Sequence, residues 1–415
     1  MIDKAVLPSY FCFLFLNRRL LVFGLLTAML SVFGQTYFIG LFNPYLREVS
    51  GLAQGELGLV YGGATILSAT LLTWLGGLYD RVNPRLFVSL TMLLLALGCM
   101  LLGFARSTLA LLLALFILRL SGQGLMVHIS LTTMARRYHQ ARGKAVSIAA
   151  LGMPLAEAVF PAIAIAALAL LEWRQIWLAG AAFVLLLLPL IIWLLGSKSR
   201  DESLDHSEQP KSTYSATRSE VLLDWRFAML LPAALSSPFV VTIVFFYQIP
   251  IVQAKGWGSE LVASGLAFYA LGHVVGLFMS GGLVDRFTAG RVFVPALFPM
   301  LLSMLVLAIF HGHWAAMLWP AILGLGQGIH TTAMTSLLAE RYGLAHLGAI
   351  RAMLQAMVVL STAVGPPLFG SLLDLGIHAE SLVMTIAAGI VAAILMAMIA
   401  LAAKPKYSES FCSSR

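Results

Sequence analysis

The sequence contains very little charge for its length. Aspartate, glutamate, lysine and arginine make up 11% of its 415 residues, whereas hydrophobic residues make up 60%. Soluble domains average about 25% charged residues. The shortage of charge therefore excludes a soluble globular protein and favours a protein that crosses the bilayer many times.

Cysteine pairs and the common enzyme motifs are missing as well. Cys12, Cys99 and Cys412 have neither the spacing of a disulfide framework nor that of a metal site. The sequence contains no P-loop of an ATP-driven pump, no HExxH zinc motif and no GxSxG nucleophile motif. We therefore predict no metal, no cofactor and no enzymatic activity, including that of an enzyme embedded in the membrane.

Long apolar segments are what the sequence has in abundance. A helix needs roughly 20 apolar residues to cross about 30 Å of hydrocarbon. Twelve segments meet this requirement and predict an all-α polytopic membrane protein with twelve transmembrane helices: 20–46, 57–78, 86–105, 109–134, 145–170, 175–196, 226–252, 260–282, 291–311, 315–338, 347–373 and 380–403.

Basic residues are distributed unevenly around these segments. If both termini are cytoplasmic, 21 of the 26 lysine and arginine residues lie on the cytoplasmic side. Four lie in the outer loops and one, Arg119, lies inside a span. Cytoplasmic loops carry such an excess, which explains the net charge of +8 without nucleic acid. We predict a multi-pass protein of the cell (inner) membrane with both termini inside.

One polar stretch divides the chain. Residues 196–220, between the sixth and seventh spans, are rich in charged and small polar residues, which predicts an unstructured linker. The predicted organisation is a six-helix bundle at 1–196, a cytoplasmic linker at 197–222, a second six-helix bundle at 223–403 and a cytoplasmic tail at 404–415.

The two halves of the chain repeat each other. The stretch GGLYDRVNPR, residues 76–85, returns as GGLVDRFTAGR, residues 281–291. Three further matches occur at an offset of 204: GQG at 122 and 326, RY at 137 and 341, and EL at 56 and 260. Parallel repeats of this kind occur in transporters whose halves rock around a central site.

The repeated stretch carries a family resemblance. GGLYDRVNPR resembles the loop G-x-L-x-D-R-x-x-x-R between helices two and three of the major facilitator superfamily, and its copy falls between helices eight and nine. The resemblance covers the whole chain. It implies two pseudo-symmetric six-helix bundles, a central cavity and alternating access to the two sides of the membrane.

We predict that the two loops form a cytoplasmic latch that opens and closes with the cavity. Glycines let neighbouring helices approach closely, and an aspartate at a helix boundary can be held by an arginine or by a helix N-terminus. The alternative is that the arginines only set the topology. The predicted gating residues are Gly76, Asp80, Arg81, Arg85, Gly281, Asp285, Arg286 and Arg291.

A narrower resemblance lies in three spans. FGQTYFIGLFNPY in span one, RLSGQGLMVHISLTTMARRYHQARGKA in span four and LGMPLAEAVFP in span five are similar to the bacterial monocarboxylate-transporter-like branch, which includes oxalate–formate-type antiporters. This resemblance implies transport of small organic anions. The helix-eight arginine of that branch is absent, and His273 is the only ionisable residue within span eight.

Arg119 is the most informative single residue. It lies about ten residues into span four, where a charge costs roughly 3 kcal/mol and therefore needs water or a partner. Three roles stay open. Arg119 anchors a substrate carboxylate, takes part in proton coupling, as the span-four motif of the family implies, or pairs structurally with a neighbouring carbonyl or carboxylate.

Glu157 is the only acidic residue deep within a span. It lies among Gly152, Pro154 and Pro161. Burial favours the protonated form of a carboxylic acid, which suits a residue that carries protons. Equally open is a structural role, in which Glu157 caps backbone groups beside the prolines or pairs with Arg119.

Neutral polar residues complete the predicted site. They lie on helices that line the cavity in the family, and packing is the alternative role for each. Gln123 follows Arg119 by four residues, so an α-helix would place both on one face. The predicted substrate and coupling residues are Arg119, Glu157, Gln35, Tyr37, Gln123, His273, Gln327 and His330, while Tyr247 and Gln248 are candidates for an outer gate.

These observations favour a secondary active transporter of a small organic anion that acts by proton coupling or by exchange. The expected partners are an anionic small molecule, protons and the lipid bilayer, with no nucleic acid, and the expected functional unit is a monomer. Two alternatives stay open: a drug or amphiphile exporter of the same fold, and a sensor that binds its ligand without moving it.

Overall fold

The computed structural model describes residues 6–79, 81–138, 141–196, 216–258, 260–343 and 346–403. These segments consist of helices joined by turns, and none of them contains a β-strand. Eleven of the helical segments are long and apolar enough to cross a membrane. The tenth predicted span corresponds to a helix of 30 residues, His313–Tyr342, which carries more polar side chains. The predicted all-α, polytopic fold class is therefore confirmed.

The chain divides into two compact units. The first comprises Met1–Gly51 and Gly63–Ser199, and the second comprises Leu52–Gly62 and Arg200–Arg415. The beginning of the second span therefore belongs to the second unit, although the rest of that span belongs to the first.

The helices of the first half of the chain are α1 (Val6–Leu30), α2 (Thr36–Ile39), α3 (Asn43–Ser50), α4 (Gln54–Leu78), α5 (Pro84–Phe104), α6 (Thr108–Leu118), α7 (Val127–Arg137), α8 (Arg142–Ala150), α9 (Gly152–Leu168) and α10 (Trp173–Leu195). Those of the second half are α11 (Arg218–Leu222), α12 (Trp225–Phe246), α13 (Gln248–Ala254), α14 (Glu260–Phe287), α15 (Ala289–Phe293), α16 (Leu297–Ile309), α17 (His313–Tyr342), α18 (Leu347–Asp374) and α19 (Ala379–Ala402).

Small polar residues begin several of these helices. The side chain of Asn83 accepts a hydrogen bond from the Arg85 backbone N–H, at 2.9 Å, just before Pro84 opens α5. Ser107 accepts from the Ala110 N–H at the start of α6, at 3.3 Å. Such caps satisfy the unpaired N–H groups of a first helical turn, and they allow a short loop to reverse the chain between two spans.

The first predicted span, 20–46, is not one helix. α1 ends at Leu30 and is followed by a 3₁₀ turn over Ser31–Gly34 and by Gln35, whose backbone is extended (φ −83°, ψ 143°). α2, a second 3₁₀ turn over Gly40–Phe42 and α3 complete the segment. A span of this length is long enough to tilt or break, but hydropathy measures how side chains transfer into lipid and carries no information on where the backbone bends.

The fourth span departs from α-helical geometry opposite this break. Between α6 and α7, residues Arg119–Met126 form a π-helix, in which each turn contains more residues than in an α-helix. Gly122 packs on Gly34: a Cβ built on Gly122 would lie 2.7 Å from the Gly34 nitrogen, and one built on Gly34 would collide with the Leu118 carbonyl. The break and the π-helix therefore meet backbone to backbone.

The end of the predicted linker is ordered. α11 begins with a capping box between Thr217 and Glu220, and the Ala216 N–H donates to the Tyr342 carbonyl at 3.0 Å. The prediction of an unstructured linker is therefore wrong for this end, because the box satisfies the first helical turn locally. Residues 197–215 and the predicted tail at 404–415 lie outside the described residues.

The Gly34–Gly122 contact yields a stability prediction. We expect Gly34→Ala to lower the free energy of unfolding by about 1–3 kcal/mol, the usual cost of forcing atoms into a filled core. Gly389→Ala is the matched control, because a Cβ at Gly389 in α19 meets no atom within 4 Å. Thermal unfolding of the two purified variants is the measurement. Equal stability of the two would mean that the first and fourth spans are not in contact here.

Candidate functional site

Three predicted site residues of the first unit, Arg119, Gln35 and Tyr37, lie at the break in the first span. Arg119 is buried, with 3% of its surface exposed. Its Nη1 lies 3.4 Å from the Gly34 carbonyl oxygen and 3.2 Å from Oγ1 of Thr36, and it donates to both. Gly34 and Thr36 flank the extended residue Gln35. Arg119 therefore binds the interrupted backbone of the first span directly.

Gln35 and Tyr37 lie on either side of Thr36. The Gln35 side-chain amide donates to Oγ of Ser31 at 3.3 Å and is half-buried. Tyr37 is buried. Both predicted residues therefore lie in the same short segment as the backbone acceptors of Arg119.

Gln123 does not share the burial of Arg119. It lies in the middle of the π-helix and is half-buried, whereas Arg119 is buried. The expectation that the two share one face assumed an α-helix with 3.6 residues per turn, and the π-helix changes that register. In the first unit Gln123 thus faces a less enclosed environment than the guanidinium.

Glu157 is buried on α9, with 8% of its surface exposed. The helix starts at Gly152 and contains Pro161, whose ring removes one backbone donor four residues after Glu157. The carboxyl group therefore lies within the membrane-spanning part of the first unit, beside a helix with an interrupted hydrogen-bond ladder.

The predicted residues of the second unit contact other residues of that unit. His330 is buried and its Nε2 lies 3.0 Å from the Ala233 carbonyl. Gln327 accepts from the Ser237 hydroxyl. His273 stacks at a tilt beside Tyr269, with ring centroids 5.8 Å apart. Gln327 and His330 therefore tie α17 to α12, while His273 lies on α14.

The first copy of the repeated loop is tied to neighbouring helices. His128 Nε2 lies 3.1 Å from the Gly76 carbonyl, and Arg85 Nε donates to the Gly196 carbonyl at 2.9 Å, just beyond the end of α10. Arg81 is exposed. Asp80 lies outside the described residues.

The second copy is tied in a different way. Both carboxylate oxygens of Glu340, on α17, accept from loop amides, Ala289 N–H at 2.8 Å and Gly290 N–H at 3.3 Å. Three of the predicted gating residues in this loop, Gly281, Asp285 and Arg286, are exposed. Sequence reasoning missed Glu340, because the position that matches it in the first half holds Arg136, of opposite charge.

Asp374 is a second residue that sequence reasoning missed. Its two carboxylate oxygens accept from the Gln54 N–H at 3.0 Å and the Gly55 N–H at 2.7 Å, in the first turn of α4. Tyr247, a candidate for the outer gate, donates to the Gln54 carbonyl at 2.9 Å. Asp374 therefore caps a helix that is 320 residues away in the chain.

Glycines bring α4 close enough for these hydrogen bonds. A Cβ on Gly58 would lie 2.7 Å from the Pro366 carbonyl, and one on Gly55 would lie 2.9 Å from the Ser371 backbone. The glycines at 55, 58 and 62 were the only hint in the sequence, because small residues at such spacing permit close helix packing. These glycines do not indicate which helix packs against α4.

The chain is similar to known proteins in sequence and in fold. The model of the Major Facilitator Superfamily matches residues 24–269 and 249–411. A bacterial homologue of the human lysosomal transporter Spinster, in an inward-facing and occupied conformation, has 17% identity and a TM-score of 0.66, over 92% of this chain and 94% of that one. The nucleoside transporter NupG has 11% identity and a TM-score of 0.72, over 93% and 100%. No curated protein matches by sequence.

The Asp374 cap yields a prediction on local opening. Asp374→Ala removes the acceptor of two amides, and loss of an N-cap costs about 1 kcal/mol. We expect the Gln54 and Gly55 amides to exchange with solvent about fivefold faster, as measured by hydrogen–deuterium exchange on the intact protein. Asp285→Ala is the control, because it removes an exposed carboxylate of the same unit. An unchanged exchange rate in the Asp374 variant would show that the cap does not hold this helix end.

Proposed function

The chain belongs to the major facilitator superfamily, and we propose that it is a secondary active transporter of a small organic anion of the monocarboxylate type. This superfamily consists of transporters rather than enzymes, so a small-molecule substrate and a bilayer location follow from membership. We further propose that the protein lies in the inner membrane with both termini in the cytoplasm. It works by alternating access, either coupled to protons or as an exchanger.

The buried Arg119 beside the broken first span carries this proposal. Transporter sites are typically formed where spanning helices are discontinuous, because interrupted backbone there supplies polar groups at mid-depth. A guanidinium presents a planar fork that matches a carboxylate. Arg119 donates through Nη1 to Gly34 and Thr36, which fixes the direction of the guanidinium.

Glu157 supports a coupling role for protons. Acidic residues within spanning helices commonly serve as proton carriers. Glu157 and Arg119 are both buried in the first unit. The anion-binding group and the proton-binding group are thus on the same six-helix half.

The second unit adds no permanent charge to the predicted set of residues. Its predicted residues, His273, Gln327 and His330, present rings and an amide rather than a permanent charge. An exporter of cationic amphiphiles would need acidic groups among its binding residues, so the proposed anion suits this set of residues better. NupG is described as a nucleoside transporter, which makes nucleosides the second class of compound to screen.

The transport assignment is tested with Arg119→Gln in proteoliposomes. We expect the initial rate of counterflow of a labelled monocarboxylate to fall at least about tenfold, because a hydrogen bond to a charged group contributes about 1.5–3 kcal/mol. Arg106→Gln is the control, because Arg106 is exposed and outside the spans. Unchanged counterflow in the Arg119 variant would contradict the anion role.

A second variant guards against misfolding. Gln123→Leu leaves the hydrogen bonds of Arg119 to Gly34 and Thr36 in place, and we expect it to weaken uptake while the thermal stability stays that of the parent. Binding without counterflow, for either the parent or the variant, would favour a sensor. Stabilisation by amphiphiles or nucleosides but not by carboxylates, read as a thermal shift, would reassign the substrate class.

The coupling assignment is tested with Glu157→Gln. We expect exchange of labelled substrate to stay within about twofold of the parent, because the neutral amide resembles the protonated acid. Accumulation driven by a pH gradient should be lost. Glu48→Gln, at an exposed position of α3, is the control. Accumulation that persists in the Glu157 variant would exclude Glu157 as the proton carrier.

A further inference from the structure

The second unit contains a cavity at the end of the chain's eighth span. It has a volume of about 320 Å³ and lies where α14 ends, α15 follows and α17 passes behind. This volume is at the lower end of the range for small-molecule sites, about 300–1,000 Å³. The lining is apolar except for one cation, and it includes Leu283, Phe287, Val292, Pro295, Ile329 and Arg291.

Arg291 differs from its counterpart in the first copy of the loop. There, Arg85 donates to the Gly196 carbonyl after α10. The corresponding helix end in the second half, Ala400 and Leu401 of α19, accepts instead from the two Nη atoms of Arg341, at 3.2 and 3.3 Å. Arg291 therefore does not have the helix-end acceptor that Arg85 has in the first copy of the loop.

The Arg291 side chain is consequently available. It is exposed, and within the residues that the structure describes it makes no hydrogen bond or ion pair. The neighbouring Arg286 stacks on Phe287, with 5.1 Å from its guanidinium carbon to the ring centroid. Phe287 also lines the cavity. A cation thus borders an apolar cavity, with a second cation close by.

The position of this loop relative to the membrane limits the classes of ligand that can bind. The proposed topology puts loops with the excess of basic residues on the cytoplasmic side, and on that topology this loop lies at the level of the headgroups of the cytoplasmic leaflet. Basic pockets between spanning helices on that side bind anionic headgroups. A small free anion would satisfy Arg291 but would leave the apolar walls uncovered.

We propose that this cavity binds an anionic phospholipid of the cytoplasmic leaflet. The phosphate lies against the Arg291 guanidinium, which offers it paired donors. One acyl chain packs between Leu283, Phe287 and Ile329. The site is separate from the substrate-binding residues of the proposed transport function and does not depend on them.

The test uses purified full-length protein in nanodiscs of phosphatidylcholine with and without phosphatidylglycerol, with retained lipid counted by native mass spectrometry. We expect phosphatidylglycerol to be retained in preference to phosphatidylcholine. Arg291→Gln should weaken this retention about fivefold, the effect of one juxtamembrane cation on anionic lipid. Arg286→Gln removes the same charge beside the cavity, but Arg286 is not among the lining residues, so it should change retention by clearly less than Arg291→Gln does.

A second variant tests the apolar part of the site. Ala296 is buried and lines the cavity, so Ala296→Leu fills space without altering charge, and it should also weaken retention. Equal retention of the two lipids would overturn the headgroup assignment. Stabilisation by inorganic phosphate alone, equal to that by phosphatidylglycerol, would overturn the lipid assignment. Equal losses of lipid retention from Arg286→Gln and Arg291→Gln would overturn the site, because retention would then depend on general surface charge.

Discussion

The hydrogen bond from Arg119 to the Gly34 carbonyl is the interaction on which the first unit depends. Within a bilayer every backbone carbonyl needs a donor, because no water is present to replace it. The first span stops being an α-helix at Leu30 and resumes at Thr36, and the Gly34 carbonyl between these points accepts from Arg119. A guanidinium from another span supplies the donor, and the break is stable inside the membrane for that reason.

The fourth span is shaped by the same interaction. Arg119 is the first residue of the π-helix, and Gly122, three residues on, packs on Gly34. Without a side chain at either glycine, the two backbones come close enough for Arg119 to reach the break. The structural role of Arg119 and its proposed role in binding an anion are therefore compatible. The hydrogen bonds to Gly34 and Thr36 hold the guanidinium in one orientation.

Much of the fold could be predicted from the sequence, because twelve apolar runs of sufficient length leave few other arrangements in a membrane. The break at Gln35 could not, since it is fixed by a contact between residues 85 positions apart. The Asp374 cap could not either, because one of its acceptor–donor pairs spans 320 positions. In the candidate site, the residue types were evident from their rarity in spans. The half-buried position of Gln123 was not, because it depends on the π-helix.

The repeated loop shows why similar sequences do not guarantee similar contacts. In the first copy a cation of the loop, Arg85, donates to a carbonyl after a helix end. In the second, the carboxylate of Glu340 accepts from the loop's own amides. Both arrangements satisfy polar groups that helix termini leave unpaired, and they do so with opposite charges. Glu340 and Arg341 of α17 make these two kinds of contact in the second half, so the helix end there is bound without Arg291.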